Sequence, residues 1–128
     1  MASLSAPLSL GELIDRLTIL EIKARRIASP AKRAQVRREL DGLRKIAAPY
    51  EQSAALIVLK RRLKAVNGLL WTLEETSRQR LRRPPNAPAR AAALLTRIAR
   101  GNDLRHRLKQ RISRLARGGL VEQKSYYS

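Results

Sequence analysis

The chain has 128 residues, with 28 lysines and arginines against 10 acidic residues, a formal net charge of +18 and a sequence pI of about 11.7. It has no cysteine, which excludes disulfides and thiolate chemistry, and its single histidine, His106, excludes a histidine pair or a multi-histidine metal site. The length predicts one helical domain over residues 1–128, with a flexible lead at 1–7 and a tail at 118–128.

The N-terminal residues lack the basic and apolar regions of a secretory signal. The longest apolar run, residues 54–59, is much shorter than a membrane span. We therefore expect a cytoplasmic protein without a membrane-spanning segment.

Residues 8–27 are the most apolar helix candidate and contain three of the ten acidic residues. Ser9 is a favourable N-cap residue, and Glu12 completes a capping box with it. Apolar residues recur at helical spacing on one face, at Leu10, Leu13, Leu17, Leu20, Ala24 and Ile27. A second stripe runs nearly opposite, at Asp15, Ile19, Ile22 and Arg26. The pattern predicts a helix over about 9–27 that is buried between neighbouring helices.

Three more helices follow. Ser29 and Pro30 predict the start of a helix over about 30–47. Leucines at heptad spacing predict a long helix over about 51–82, and the proline-rich residues 83–88 break the chain before a fourth helix over about 87–117. Gly118 and Gly119 would end this helix, and residues 101–103 interrupt its apolar seam, where Asn102 or Asp103 could cap a second segment.

These elements predict an all-α protein, either a single four-helix bundle or two packed long helical hairpins. Polar residues on three of the helices then form a candidate polar site between helices: Asp15, Thr18, Glu21, Asn67, Trp71, Glu74, Asn102, Asp103 and Arg105. One hypothesis is a non-enzymatic binding module that uses this site, with Trp71 as an apolar wall. The alternative is a structural network of hydrogen bonds and ion pairs that fixes the register of the helices.

Asp15 lies on the second stripe of the first helix, where a solvated acid would be out of place. A buried carboxylate needs a partner, and Arg105 or Arg78 can supply one from another helix.

Paired acids on helices can bind magnesium, as in all-helical nucleotide pyrophosphatases. Only Glu12 and Asp15 have the required spacing here, and we expect Glu12 to serve as a capping residue instead. Metal-dependent nucleotide hydrolysis is therefore a minor alternative, and we expect no catalytic residue, resident metal or cofactor.

Residues 78–117 contain thirteen lysines and arginines and one acid. Basic helices bind phosphates through charge, so the sequence predicts sequence-independent binding of nucleic acid or another polyanion through helices two and four. The candidate residues are Arg37, Arg38, Arg97, Arg100, Arg107, Arg111 and Arg114. Arginine outnumbers lysine 21 to 7, so compositional bias is an alternative source of the charge. A homodimer or a protein partner also stays open.

Four motifs resemble those of a family of short bacterial and phage helical proteins classed as a domain of unknown function. The first runs from Ser9 to Lys23, and the second comprises Asn67, Leu70, Trp71 and Glu74. The third comprises Asn102, Asp103, Arg105, Lys109 and Ile112, and the fourth Val121, Glu122, Lys124, Ser125 and Tyr126. The resemblance covers about residues 8–126. It implies no particular activity, substrate or cofactor, but its motifs coincide with the candidate polar site.

Overall fold

A computed structural model describes residues 7–81 and 88–117. Its helices are α1 (Leu10–Arg26), α2 (Pro30–Ala47), α3 (Ala54–Leu81) and α4 (Pro88–Leu115), with a short 3₁₀ turn at Ala48–Tyr50 between α2 and α3. The described residues contain no strand. The prediction of an all-α four-helix bundle is therefore confirmed.

Helix α1 lies at the centre of the bundle and packs against α2, α3 and α4. Its N-cap is Ser9 as the sequence predicts, and the Ser9 hydroxyl accepts a hydrogen bond from the amide of Glu12. The second half of the predicted capping box does not form, because the Glu12 carboxylate pairs with Lys109 of α4. Leu13, Ile14 and Leu17 are completely buried, as expected for a helix that is apolar on two sides.

The N-terminal turn of α1 lies directly against the backbone of α4. The amide of Gly11 donates a hydrogen bond of 2.9 Å to the hydroxyl of Ser113. A Cβ atom at Gly11 would collide with the backbone carbonyl of Lys109. The close approach of the two helices therefore requires glycine at this position.

Helix α2 begins at Ser29 and Pro30 as predicted and packs mainly on α1, where its Leu40 and Ala47 are buried. Helix α3 begins at Ala54, later than the predicted residue 51. The chain first forms the 3₁₀ turn, which carries the buried Tyr50, and the Ser53 hydroxyl then accepts a hydrogen bond from the amide of Leu56. Serine is a better N-cap than the residues before it, which explains the later start.

Helix α4 is continuous through Gly101, so the prediction of a second capped segment at Asn102 or Asp103 is wrong. The glycine has a packing role instead. A Cβ atom there would lie 2.6 Å from Cδ2 of Leu70, so the absence of a side chain lets α3 and α4 approach each other.

The predicted helix stop at Gly118 and Gly119, the proline-rich break after residue 82, the fourth motif and nearly all of the predicted flexible lead lie outside the described residues. Within residues 7–81 and 88–117, no helix combines the length and apolar character needed to cross a membrane.

Candidate functional site

The structure brings four of the nine predicted polar residues together at the junction of α1, α3 and α4. Asp15 and Thr18 come from α1, Asn67 from α3 and Arg105 from α4. Asp15 is 3% exposed, Asn67 6% and Thr18 completely buried. We call this group the polar lock.

Asp15 is the centre of the polar lock. Its Oδ1 accepts hydrogen bonds from Nε of Arg105 at 2.9 Å and from Nδ2 of Asn67 at 3.0 Å. Its Oδ2 accepts a bond of 2.6 Å from the terminal nitrogen of Arg105, and Nζ of Lys109 lies 3.9 Å away. The two-pronged Arg105 contact is the strongest geometry for such a pair. The prediction that Asp15 is buried and pairs with an arginine is confirmed, with Arg105 rather than Arg78 as the partner.

Thr18 and Asn67 complete the network. The second hydrogen bond of the Asn67 amide, 2.9 Å long, goes to the hydroxyl of Thr18, which itself donates to the backbone carbonyl of Asp15 at 2.8 Å. None of the buried side-chain nitrogens and oxygens of this cluster lacks a hydrogen-bond partner, and the cluster joins three helices.

The electrostatics of Asp15 follow from this geometry. Burial by itself would raise the pKa of the Asp15 carboxyl. Hydrogen bonds from Arg105 and Asn67, together with the charges of Arg105 and Lys109, outweigh burial and lower the pKa below its ordinary value of 3.8. The same contact raises the pKa of Arg105. The pair is therefore fully ionised at neutral pH.

Glu21 lies in a separate cluster on the other face of α1. Its carboxylate pairs with Arg44 at 3.3 Å, Lys60 at 3.6 Å and Lys64 at 3.1 Å, and Lys60 also binds Glu51 at 2.7 Å. The Nζ atom of Lys64 forms an ion pair with the buried Oε1 of Glu21, but the geometry is not that of a good hydrogen bond. These cations lower the pKa of Glu21 against the opposing effect of burial.

The remaining predicted residues do not join the polar lock. Trp71 is half-buried and donates a hydrogen bond of 2.8 Å from Nε1 to Glu75 along α3. Asn102 and Asp103 are exposed on α4. Glu74 is also exposed, although its charge contributes to the raised pKa of Arg105.

Glu12 and Asp15, the pair considered for a metal, are both engaged by cations. Oε1 of Glu12 lies 2.7 Å from Nζ of Lys109, and Asp15 binds Arg105. Among the residues that the structure describes, no group of three or more His, Cys, Asp or Glu side chains could hold a metal ion. The geometry thus gives no support to a metal site at this pair.

An open groove of about 680 Å³ adjoins the polar lock, between α1 and α2 and beside Arg105. We call it the Arg105 groove. Its apolar floor includes Ile19 and Leu43, and the charged residues along it include Arg16 and Arg38. The sequence did not indicate this groove, because it depends on the way α2 packs on α1.

The seven predicted polyanion-binding arginines are all exposed, but they lie on two surfaces. Arg38 lines the Arg105 groove, whereas Arg97, Arg111 and Arg114 line the surface between α3 and α4. Helices α2 and α4 therefore carry their exposed arginines on separate surfaces, because α1 lies between α2 and the α3–α4 pair.

The α4 arginines form a regular row. Arg97, Arg100, Arg107, Arg111 and Arg114, together with Leu104, recur at alternating spacings of three and four residues, which places them on one face of the helix. We call the five arginines the arginine row. At 1.5 Å per residue it extends over about 25 Å. None of the five forms an ion pair with any residue in 7–81 or 88–117.

Two further arginines, which were not predicted from the sequence, lie beside the arginine row. Arg62 of α3 lines one surface groove with Arg111 and Arg114, and Arg90 precedes Arg97 by two turns in a second groove. The spacing of Arg90 could have identified it, because it continues the same three-and-four pattern through Ala93. Arg62 could be assigned only once the packing of α3 against α4 was known.

Comparisons with protein-family models, with curated proteins and with solved structures found no match for this chain. The resemblance to a family of short bacterial and phage proteins therefore stays a prediction.

Proposed function

We propose that the protein binds the phosphate backbone of nucleic acid, without sequence preference, along the arginine row. The observation that carries this proposal is the alignment of five exposed arginines on one face of α4 over about 25 Å. A duplex advances 3.4 Å per base pair, so the row matches about seven base pairs. Aromatic residues make up only 3% of the chain, which argues against recognition of single strands by base stacking.

The polar lock contributes to this function indirectly. Arg105 and Lys109 of α4 are held by acids of α1, so they fix the helix while the arginine row on its other face stays accessible. Asp103 is the single acid between residues 97 and 114, and it is exposed beside the row. The outer face of α4 therefore carries a strong positive potential, which attracts polyanions.

The test is the affinity for a random-sequence duplex, measured by fluorescence anisotropy at about 50 and 200 mM salt. Five phosphate contacts predict a loss of a few hundred-fold in affinity over this range. Replacing Arg100, Arg107, Arg111 and Arg114 by glutamine removes most of this dependence.

The matched control replaces Arg25, Lys32, Lys45 and Arg61 by glutamine. These four cations are also exposed, and the net charge falls by the same amount. We expect the control to keep most of the affinity and the salt dependence. Equal losses in the two variants would contradict a specific role for the row, and the absence of binding at the lower salt would remove the proposal.

The Arg105 groove supports a second candidate function, the binding of a small anionic molecule between the helices. The observation is a concavity of about 680 Å³ that has an apolar floor and carries more cations than acids along its lining, Arg16, Lys23, Arg38 and Arg105 against Glu12, Asp15 and Glu39. Such a combination suits a ligand with an aliphatic body and a carboxylate or phosphate group.

Gly42 lines this groove, and a Cβ atom there would meet open space, so the side chain of Gly42→Trp should occupy the groove. Thermal-shift screening against dicarboxylates and nucleotides should give a stabilising compound whose effect is lost in this variant. Gly68→Trp on α3, where there is also open space, is the control that should keep the effect. A compound that stabilises all three proteins equally would argue against the groove as its site.

A further inference from the structure

Helices α3 and α4 continue beyond the part of the bundle that α1 covers. Helix α1 ends at Arg26, and the guanidinium of this residue reaches the hydroxyl of Thr72 at 3.2 Å. The contiguous core uses α3 and α4 side chains such as Leu63 and Leu108, and it does not include Leu73 or Leu94. Those two leucines are buried in the two-helix part of the structure, residues 69–80 and 88–97, which we call the arm.

The arm carries an open groove of about 410 Å³ between its two helices. Leu69, which is 48% exposed, and the exposed Ala93 supply its accessible apolar surface, and the buried Leu73 and Leu94 lie at its floor. Exposed leucine in a concave surface is an unfavourable arrangement for a helix pair in water, and it marks a place where a third apolar surface can pack.

The charge beside this apolar surface has one sign. Arg80, Arg90 and Arg97 line the groove, and no acidic residue lines it among the described side chains. A second copy of the chain would bring the same cations against themselves, which is electrostatically unfavourable. A phosphate backbone would complement the arginines but would leave the leucines without an apolar partner.

The dimensions of the groove fit a helix. Its lining residues on α3 run from Leu69 to Arg80, which is about 16 Å or three helical turns. A groove between two packed helices accepts the ridge of a third one, and a helix in such a groove presents apolar residues at positions i, i+3, i+4 and i+7. Acidic residues beside that apolar stripe would meet Arg90 and Arg97.

We infer that the arm is a docking site for an acidic amphipathic helix of a partner protein. The exposed side chains of Leu69 and Ala93 receive the apolar stripe of that helix, and Arg90 and Arg97 pair with its flanking carboxylates. This site is separate from the proposed nucleic-acid contacts at Arg100, Arg107, Arg111 and Arg114, although Arg97 stands at the boundary of the two surfaces.

The experiment uses the full chain and three synthetic peptides of about fifteen residues. The first is a glutamate-rich amphipathic helix with leucines at i, i+3, i+4 and i+7, and the second has the same composition with the leucines scrambled. In the third, lysine replaces glutamate. Fluorescence anisotropy should show binding of the first peptide, at least tenfold weaker binding of the second, and no binding of the third.

Two variants locate the binding on the arm. Ala93→Trp fills the groove without a change in charge, and it should weaken binding of the first peptide by at least tenfold. Ala99→Trp is the matched control, since Ala99 is an exposed alanine on α4 that does not line the groove, and it should leave the affinity unchanged. Arg90→Glu should weaken binding of the first peptide more than Ala93→Trp does, because it places a carboxylate against the carboxylates of the peptide.

Equal binding of the ordered and scrambled peptides, or unchanged binding to the Ala93→Trp variant, would overturn the inference. A second result would overturn the inference in favour of a lipid surface. In that case the first peptide does not bind, the protein binds vesicles of anionic lipid, and Ala93→Trp abolishes the vesicle binding. Duplex affinity is measured in parallel on the same Ala93→Trp protein. This variant keeps the arginines from Arg100 to Arg114. If it loses peptide binding but still binds the duplex, the two proposals concern separate sites.

Discussion

Arg105 and Arg107 are two residues apart on α4, yet they have opposite environments. The Arg105 guanidinium is fixed in a two-pronged contact with the buried Asp15, whereas Arg107 is exposed in the arginine row. A separation of two residues turns a side chain by about 200° around a helix, because each residue turns by about 100°. The role of an arginine in this protein therefore follows from the helix face it occupies, and the total charge alone does not define a functional surface.

The largest effect on stability is expected when the buried contact between Asp15 and Arg105 is removed. Asp15→Ala leaves Arg105 without its carboxylate acceptor and removes one of the two acceptors of the Asn67 amide, which should lower the free energy of unfolding by about 3 kcal/mol. The value is at the lower end for such pairs because the Arg105 side chain is 32% exposed. Urea unfolding measures the change. Adding Arg105→Met should restore at least half of the loss, and a loss below about 1 kcal/mol would contradict a structural role for the lock.

A smaller effect is expected at Gly11, which holds α1 against α4 beside the lock. Gly11→Ala places a Cβ atom on the backbone of Lys109 and near the Ser113 hydroxyl, so the two helices must separate. We expect a loss of about 2 kcal/mol in the free energy of unfolding. Gly42→Ala is the control, because its Cβ meets open space in α2 and should raise stability by about 0.5–1 kcal/mol. Equal effects at the two glycines would mean that the close approach is unimportant.

Local features of these elements could be predicted from the sequence. Ser9 and Ser29 mark helix starts by their own hydrogen-bonding chemistry, and the seam from Leu56 to Leu73 follows from its spacing. The burial of Asp15 and its pairing with an arginine of another helix could also be predicted, because an acid within an apolar stripe requires a partner, but the choice of Arg105 over Arg78 required the packing of α4 on α1.

The remaining features depend on contacts between helices that spacing does not encode. The fit of Gly101 against Leu70 explains why α4 continues where its apolar pattern fails. Glu21 pairs with Lys60 and Lys64, two lysines whose pattern along α3 is that of an ordinary solvated surface. Trp71 selects Glu75 rather than the polar lock, since a residue four positions away lies on the same helix face.

The pH dependence of the free energy of unfolding distinguishes the contribution of the polar lock from the effect of the overall charge. The pKa of Asp15 is lower in the folded protein than its ordinary value, so the native state binds fewer protons than the unfolded chain. The resulting stabilisation is present above about pH 4 and is lost as the pH falls through the folded pKa of Asp15. Glu21 acts in the same direction.

Asp15→Asn removes this contribution and leaves the basic surface in place. Its free energy of unfolding should therefore fall less steeply than that of the original protein between about pH 5 and pH 2, as measured by urea titrations at fixed pH. Parallel curves for the two proteins would show that Asp15 is not linked to folding in this way.

The smallest effect is expected for a substitution on the exposed face of α4. Asp103 lies beside the arginine row and opposes its potential, so Asp103→Asn should raise the affinity for a duplex about twofold to fivefold at 50 mM salt. Asp41→Asn on α2 changes the net charge equally, and it should have a smaller effect because Asp41 is exposed on a different helix. Equal gains would indicate a response to overall charge.

The most direct test of the division between the two faces of α4 is the slope of the logarithm of duplex affinity against the logarithm of salt concentration. Arg107→Gln and Arg105→Gln remove one positive charge each, and both are measured at a temperature at which circular dichroism shows the variants folded. We expect the magnitude of the slope to fall by about 0.9 for Arg107→Gln, corresponding to one lost phosphate contact, and to stay unchanged for Arg105→Gln. The same decrease in both variants, or a decrease in Arg105→Gln alone, would contradict the assignment of structural and binding roles to the two faces.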